Sequence, residues 1–175
     1  MKKLLAARCG FFLCSALLML FSGCGYQVGN LMHPQLKTVA IAPIANETLA
    51  YNLAPQLRNL LIECFQTDGS LKVVSEDQAD CIVYAKVTNI KFGEMAWSSR
   101  GKDDDFMPNQ WRVSITVKMA VMVPGRATPL LSEREITGSS QFSGSPDLET
   151  SRTYAVRQAG YEAAKKMVTR LTEAW

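Results

Sequence analysis

The most regular pattern in the chain runs from Trp111 to Val123, where apolar and polar residues alternate without a break. Successive side chains of a β-strand point to opposite faces, so the alternation puts the apolar residues on one face. A long strand with one covered face is typical of a central or near-central antiparallel strand. Its apolar positions are Trp111, Val113, Ile115, Val117, Met119, Val121 and Val123.

Four further strands are predicted from shorter or weaker patterns. Residues 38–44 and 71–74 are short apolar runs. Residues 79–92 alternate over a longer stretch, and residues 130–142 are more polar, which favours an edge position. In the 79–92 strand, one face carries Cys81, Val83, Ala85 and Val87, and the other carries Ile82, Tyr84, Lys86 and Thr88.

The segment between the two long strands, residues 93–109, shows no period and is rich in turn-forming residues. We predict an elongated hairpin loop there. Loops of this length in compact domains are usually functional or disordered.

Two helices are predicted from apolar stripes at helical spacing. The first follows Asn52, which we expect to be its N-cap, and ends at Gly69. Its stripe consists of Leu53, Leu57, Leu60, Leu61, Cys64 and Phe65. The second begins at Ser145, as a cap followed by Pro146, or at about Ser151, and runs towards Trp175. Small residues along its stripe would let it lie close to a sheet.

These elements predict an α+β fold, a two-layer α/β sandwich with two helices on one face of a mixed sheet of about four to five strands. The strand, helix and strand between residues 38 and 74 form a βαβ unit, so the first two strands should be parallel with a right-handed crossover. We expect a single domain over residues 38–175.

The N-terminus is typical of an export signal. Basic residues, a short apolar run and the small residues Ser22 and Gly23 precede Cys24. The apolar run is too short to span a bilayer as a helix. The arrangement resembles the lipobox of bacterial lipoproteins, which implies cleavage after residue 23, lipidation of Cys24 and a tether over residues 24–37. An ordinary secreted protein cut nearby is the alternative.

Charge and cysteine content narrow the function. The net charge of +3 equals the contribution of Lys2, Lys3 and Arg8 in the signal, so the mature chain is neutral, which argues against a nucleic-acid partner. Cys64 and Cys81 each lie on an apolar face, and we favour two separate buried thiols, with a disulfide as the alternative.

Catalytic equipment is nearly absent from the sequence. There is one histidine, in the tether, and there is no nucleophile elbow, phosphate-binding loop or metal-spaced cysteine and histidine set. The run Asp103–Asp105 lacks the spacing of a calcium loop and favours a solvated turn. We therefore expect a non-enzymatic protein with no cofactor and no metal.

Several segments together resemble the LptE family of lipopolysaccharide-assembly lipoproteins. They are Cys24–Tyr26, Thr38–Asn46, the helix ending in Phe65, Leu71–Val74, Ala79–Val83 and the helix that ends at Trp175. The resemblance implies a lipoprotein on the periplasmic side of the cell outer membrane. It also implies a role inside the large β-barrel translocon LptD, which such a protein helps to assemble, and contact with lipopolysaccharide. Gly25 fits this location, since well-studied lipoproteins retained in the inner membrane carry Asp there.

The functional surfaces follow from physical inference. A plug in a polar barrel lumen needs one wet face, and the uncovered sheet face is polar at Tyr84, Lys86, Arg112 and Lys118, although a merely solvated face is the alternative. Phosphates favour clustered Arg and Lys. The first candidates for binding lipopolysaccharide are Arg100 and Lys102, next to Trp97 in the long loop. The second candidate is Arg126, in the turn that follows the Trp111–Val123 strand.

Two other interpretations stay open. The opening βαβ unit is also similar to that of envelope lipoproteins that activate penicillin-binding proteins or build secretion pores. A third interpretation is an envelope lipoprotein with an unspecified binding role.

Overall fold

Six strands and two α-helices make up the computed structural model, which describes residues 35–99, 106–143 and 147–173. The signal segment, Cys24 and most of the tether lie outside these ranges. In chain order the elements are β1 (Thr38–Ile41), β2 (Ala45–Asn46), α1 (Leu53–Asp68), β3 (Lys72–Val73), a short 3₁₀ helix (Glu76–Gln78), β4 (Cys81–Ser99), β5 (Phe106–Met122), β6 (Leu131–Ser143) and α2 (Leu148–Thr172).

All the strands belong to one mixed sheet with the order β3–β1–β4–β5–β6, and β2 also pairs with β4. β1 is parallel to β3 and to β4, which confirms the predicted parallel βαβ unit. β4, β5 and β6 form an antiparallel meander. β5 is therefore internal and β6 lies at an edge, as their patterns predicted.

Both helices lie on the same side of this sheet. The apolar stripe of α1 and the small residues of α2 share one core with the inward face of the strands. The largest side chains with almost no exposure are Phe65, Leu57, Leu61, Ile115, Met119 and Met167. The α+β two-layer prediction is confirmed, with six strands once the two-residue β2 is counted.

Helix α2 lies unusually close to the edge strand at Gly138. A Cβ atom at this position would overlap the carbonyl oxygen of Ala159 and the backbone nitrogen of Ala163. Ala159 and Ala163 are completely buried against the sheet. Glycine on the strand and alanine on the helix together bring the two backbones together.

The predicted loop over residues 93–109 is wrong at both ends. β4 continues to Ser99 and β5 begins at Phe106, with pairs such as Trp97↔Pro108 and Ser99↔Phe106. We call residues 94–99 with 106–111 the hairpin arm. β6 pairs with β5 only as far as Gln110, so the outer part of the arm is a two-stranded ribbon. Since no third strand among the described residues pairs with this part of the arm, its sequence is not required to alternate apolar and polar residues.

The helix ends also correct two predictions. Asn52 is not a side-chain cap: it has a left-handed backbone (φ 60°) and makes no cap hydrogen bond. At α2 the cap is Asp147, not Ser145, because the Asp147 carboxylate accepts hydrogen bonds from the backbone nitrogens of Glu149 and Thr150. Gly69 ends α1 as predicted, with φ 71°.

Side chains of α2 cover the middle of the β6 edge. The Glu162 carboxylate accepts a hydrogen bond from the backbone nitrogen of Ser139 (2.6 Å), and Lys166 Nζ donates to the carbonyl oxygen of Thr137 (2.8 Å). The two side chains are also paired with each other at 2.8 Å. They occupy backbone groups that an exposed edge would offer to another strand.

Cys64 and Cys81 are both buried and both free, as the preferred interpretation predicted. Burial raises the pKa of each thiol, to about 11 for Cys81. Neither helix in the described ranges is long and apolar enough to cross a membrane.

Candidate functional site on the open face of the sheet

The sheet face opposite the helices carries no covering layer within the described residues. We call it the open face. Its β4 and β5 residues alternate with buried ones, as at Tyr84 and Lys86 between Val83, Ala85 and Val87. The other open-face positions are Ile82, Asn89, Lys91, Arg112, Ser114, Thr116, Lys118, Met122, Glu133, Glu135, Thr137, Ser139 and Gln141.

Two lysines meet at the centre of this face. Lys86 of β4 and Lys118 of β5 are directly paired in the register. Lys86 Nζ lies 3.1 Å from Glu47 and Lys118 Nζ lies 3.3 Å from Glu133. Like charges directly opposite each other destabilise a sheet, so the two carboxylates offset this repulsion.

A β-bulge on β4 decides what lies beyond this pair. Val87 pairs with Val117, but the next pair is Asn89 with Thr116, so Thr88 is an extra residue. Its hydroxyl donates to the carbonyl oxygen of Thr116 at 3.3 Å. A bulge shifts the phase of alternation by one residue.

After the bulge, Ile90 packs towards the core and Lys91 faces outwards. Lys91 pairs with Ser114, and Arg112 pairs with Gly93. Lys91 and Arg112 are therefore diagonal neighbours, a relationship in which residues lie about 7–8 Å apart and their Cβ atoms somewhat closer. Both side chains are exposed, and neither forms an ion pair with any residue that the structure describes.

The open face thus has two halves of different character. The proximal half (residues 82–86 with 118–122) combines Lys86 and Lys118, each neutralised by a carboxylate, with apolar area at Ile82 and Met122. The distal half (residues 89–93, 110–114 and 139–143) contains two cations and no acidic residue. Glu94, just beyond it, shares a register row with Trp111, on the helix side.

Tyr84, Lys86, Arg112 and Lys118, predicted from the sequence as partner-facing, do lie on one face. Tyr84, Lys86 and Lys118 cluster in the proximal half, whereas Arg112 lies six residues further along β5, about 20 Å away at the rise of a strand. The structure therefore places all four on one face but groups only three of them.

Of the four residues predicted to bind lipopolysaccharide, the structure describes only Trp97 and Arg126, and these two lie far apart. The backbone of Trp97 lies in the hairpin arm, and Arg100 and Lys102 lie outside the described residues. Arg126 lies in the turn after β5, at the opposite end of a strand that spans Phe106–Met122. The 14 residue steps from Pro108, which pairs with Trp97, to Met122 span about 46 Å at about 3.3 Å per residue, so Arg126 lies far from the hairpin arm.

A groove lies on the helix side of the sheet. This groove of about 660 Å³ runs between the end of β6 and the first half of α2. Phe142, Tyr154, Arg157 and Tyr161 are among the side chains that line it. No group of three His, Cys, Asp or Glu side chains in the described ranges could hold a metal ion.

Sequence reasoning missed Lys91 and the acidic partner Glu47. Lys91 was missed because the bulge at Thr88 cannot be seen in a strict two-residue period. The available signal is the three-residue step between the apolar Val87 and Ile90. Glu47 was missed because it lies in a connection, which carries no periodic pattern.

Comparison with known proteins identifies a family over most of the chain. The model of the family described as "LptE: Lipopolysaccharide-assembly" matches residues 36–174. No curated protein sequence matches the chain significantly.

Three solved structures share the fold at low identity. The hypothetical protein CT253 from Chlamydia trachomatis has a TM-score of 0.51 and 16% identity, covering 77% of this chain and 95% of its own. The PelC dodecamer from Paraburkholderia phytofirmans has a TM-score of 0.51 and 11% identity, covering 83% and 95%. Protein XCC0632 from Xanthomonas campestris has a TM-score of 0.52 and 10% identity, covering 75% and 81%.

Proposed function

Because this chain belongs to the LptE family of lipopolysaccharide-assembly proteins, we propose that it is a non-enzymatic lipoprotein of the outer membrane. In this proposal it helps to assemble and plug an LptD β-barrel and assists the insertion of lipopolysaccharide at the cell surface. Acyl chains on Cys24 hold it on the periplasmic side. The tether then keeps the folded part within about 45 Å of the bilayer, since extended chain spans at most about 3.3–3.6 Å per residue.

The observation that carries the proposal is the uncovered sheet face. Two helices bury one side of the sheet, and the other side stays polar, half-exposed and free of a covering layer among the described residues. A plug in a wet barrel lumen needs such a surface. The proximal half suits a protein partner because it joins neutralised charges to the apolar side chains of Ile82 and Met122, with Tyr84 exposed beside them.

Co-purification tests the barrel. The tagged full-length protein is expressed in its native host and extracted from the cell envelope in mild detergent. It should bring down an outer-membrane β-barrel. The double reversal Lys86→Glu and Lys118→Glu should reduce that yield, because it places two like charges of the opposite sign at the paired position. Lys165→Glu with Arg170→Glu, on exposed positions of α2, makes the same change in net charge off the open face and should leave the yield unchanged.

Absence of any barrel from the wild-type preparation would overturn the proposal. Recovery of a cell-wall synthase instead would favour the penicillin-binding protein interpretation. The PelC structure with this fold is described as a dodecamer, so a ring-sized particle without a barrel would favour a secretion-pore subunit.

The anchor is tested separately at Cys24. Growth with labelled palmitate should label the wild type, and Cys24→Ala should abolish the label and release the protein from the outer-membrane fraction. A labelled Cys24→Ala variant would show that acylation occurs elsewhere.

The proposed contact for lipopolysaccharide is Arg100 and Lys102, in the segment between β4 and β5 that lies outside the described residues, with Trp97 close in sequence. Reversing both charges should weaken binding of lipopolysaccharide by the purified protein. Lys165→Glu with Arg170→Glu on α2 is the matched control, and Arg126→Glu tests the second candidate separately. Unchanged binding after the Arg100 and Lys102 reversal would remove these two residues as a site.

A further inference from the structure

The cations of the open face are paired with carboxylates in the proximal half and have no such partners among the described residues in the distal half. In the proximal half each lysine has its own carboxylate, Glu47 for Lys86 and Glu133 for Lys118. In the distal half Lys91 and Arg112 are exposed, and no acidic residue among those that the structure describes lies beside them on the open face. The two halves therefore differ in charge, and the distal half is the cationic one.

The side chains next to Lys91 and Arg112 are short or polar. Register rows join Lys91 to Ser114 and Ser139, and Arg112 to Gly93 and Gln141. A Cβ atom at Gly93 would find nothing within 4 Å, so the space beside Arg112 is open. The guanidinium and the ammonium are therefore surrounded on this face by hydroxyl, amide and backbone groups.

The nearby acids within the described ranges do not neutralise this surface. Glu162 reaches the β6 edge at Ser139, but it is already paired with Lys166. Glu94 falls in the row of Trp111, towards the helices. The distal half is consequently a cationic surface whose other groups can exchange hydrogen bonds with hydroxyls.

The chemistry of these groups selects a ligand class. Arginine binds phosphate through two parallel hydrogen bonds, and lysine adds a point charge. Seryl and amide groups hydrogen-bond to sugar hydroxyls. The open-face side of this half has no aromatic or large aliphatic side chain, so it offers nothing to acyl chains.

We propose that the distal half of the open face binds the phosphorylated saccharide portion of a glycolipid, with Arg112 and Lys91 on phosphate and the acyl chains left outside. The proposal rests on the proposed role in lipopolysaccharide assembly and specifies the part of the ligand that is held. It also divides the open face: the proximal half contacts the protein partner, and Arg112 belongs to the ligand surface.

The test uses the full-length protein in detergent and four probes. These are intact lipopolysaccharide, the same material after enzymatic dephosphorylation, its phosphorylated saccharide after removal of the acyl chains, and phosphatidylglycerol micelles. Binding is measured by microscale thermophoresis at low and at high salt. The variants are Lys91→Gln with Arg112→Gln, and Lys165→Gln with Arg170→Gln as the matched control, which removes the same charge at exposed positions of α2 off the open face.

We expect the Lys91 and Arg112 variant to bind intact lipopolysaccharide and the deacylated saccharide at least tenfold more weakly, with unchanged binding of the dephosphorylated material. The control variant should keep wild-type affinity. High salt should reduce the difference, since the interaction is between charges. Equal loss of affinity for phosphatidylglycerol micelles would show a general anionic surface and overturn the assignment to saccharide.

Unchanged affinity for the phosphorylated probes would also overturn it. Barrel co-purification is measured on the same variants so that the two proposals fail separately. If Lys91→Gln with Arg112→Gln loses the barrel but keeps the ligand, the distal half is a protein contact and the inference is wrong. If wild type brings down no barrel yet the variant loses the saccharide, the inference stands and the plug proposal falls.

Discussion

Lys86 and Lys118 lie directly opposite each other on β4 and β5, and two separate carboxylates neutralise them. Glu47 comes from the connection after β2, and Glu133 comes from the edge strand β6. Two other parts of the chain therefore converge on one like-charged pair. The arrangement ties the edge strand and the β2–α1 connection to the centre of the open face.

Removing one carboxylate should expose the repulsion. We expect Glu133→Gln to lower the free energy of unfolding by only about 0.2–1 kcal/mol, because the side chains of Lys118 and Glu133 are 37% and 58% exposed. Adding Lys118→Gln should recover part of the loss, since Lys86 then faces a neutral residue. Urea denaturation at low and high salt measures the cycle, with exposed Glu76→Gln as the control. A loss that is the same with and without Lys118 would show that the pair is not coupled.

The contact between β6 and α2 makes a second prediction. Gly138→Ala should destabilise the fold by at least about 1–3 kcal/mol, the range for overpacked cores, because the added methyl group overlaps the backbone of Ala159 and Ala163. Gly93→Ala is the matched control, since it is also a strand glycine but has open space at its Cβ position. Equal urea midpoints for the two variants would contradict the close approach seen here.

Elements that bury one face could be predicted from the sequence. Elements without a buried face could not be predicted. Trp111–Val123 and the α1 stripe are periodic because a core covers one side of each, and their predicted faces are confirmed. The hairpin arm has no such constraint, so its strand residues looked like a loop. The caps failed for a local reason, since Asn52 adopts a left-handed backbone and Asp147 takes the role expected of Ser145.

The candidate site was predictable only up to the bulge. Strict alternation places Tyr84 and Lys86 on the open face correctly. Beyond Thr88 the phase shifts, and Lys91 falls on the open face only when the bulge is known. Pairing across strands was likewise hidden, because nothing in the sequence states which residue of β5 lies opposite Lys86. Arg126 and the hairpin arm lie at opposite ends of the sheet. The position of Arg126 in a turn of the sequence does not indicate this separation.

The buried thiol of Cys81 predicts a pH effect. Burial raises its pKa from about 9 to about 11. A group whose pKa is raised on folding stabilises the fold below the unfolded pKa, and that contribution is lost as the pH rises through the folded value. The free energy of unfolding should therefore fall between about pH 9 and pH 11, and less steeply in Cys81→Val. Parallel urea titrations of the two proteins would show this, and identical slopes would contradict it.

The same burial predicts how the thiols react. Iodoacetamide at pH 8 should modify Cys64 and Cys81 slowly in the folded protein and rapidly in urea, because the thiolate is the reactive form. Mass spectrometry without reductant counts the modified sites. If both cysteines resist alkylation even in urea, they are joined in a disulfide and the free thiols described here are wrong.

Asp80 predicts how the tether enters the fold. Its carboxylate accepts hydrogen bonds from the backbone nitrogens of Lys37 (2.8 Å) and Thr38 (2.9 Å), and the bond to Lys37 is the largest of the causes that lower its pKa. A carboxylate with a lowered pKa stabilises the fold above its unfolded pKa of about 3.9 and loses that effect as the pH falls through the folded value. Nuclear magnetic resonance should show the amide signals of Lys37 and Thr38 titrating below pH 3.9 in the wild type. The shift should vanish in Asp80→Asn, while Asp77→Asn, an exposed change nearby, should preserve it. Titration at or above pH 3.9 would mean that the carboxylate does not hold these amides, and the start of β1 would then be fixed by its pairing with β3 and β4 alone.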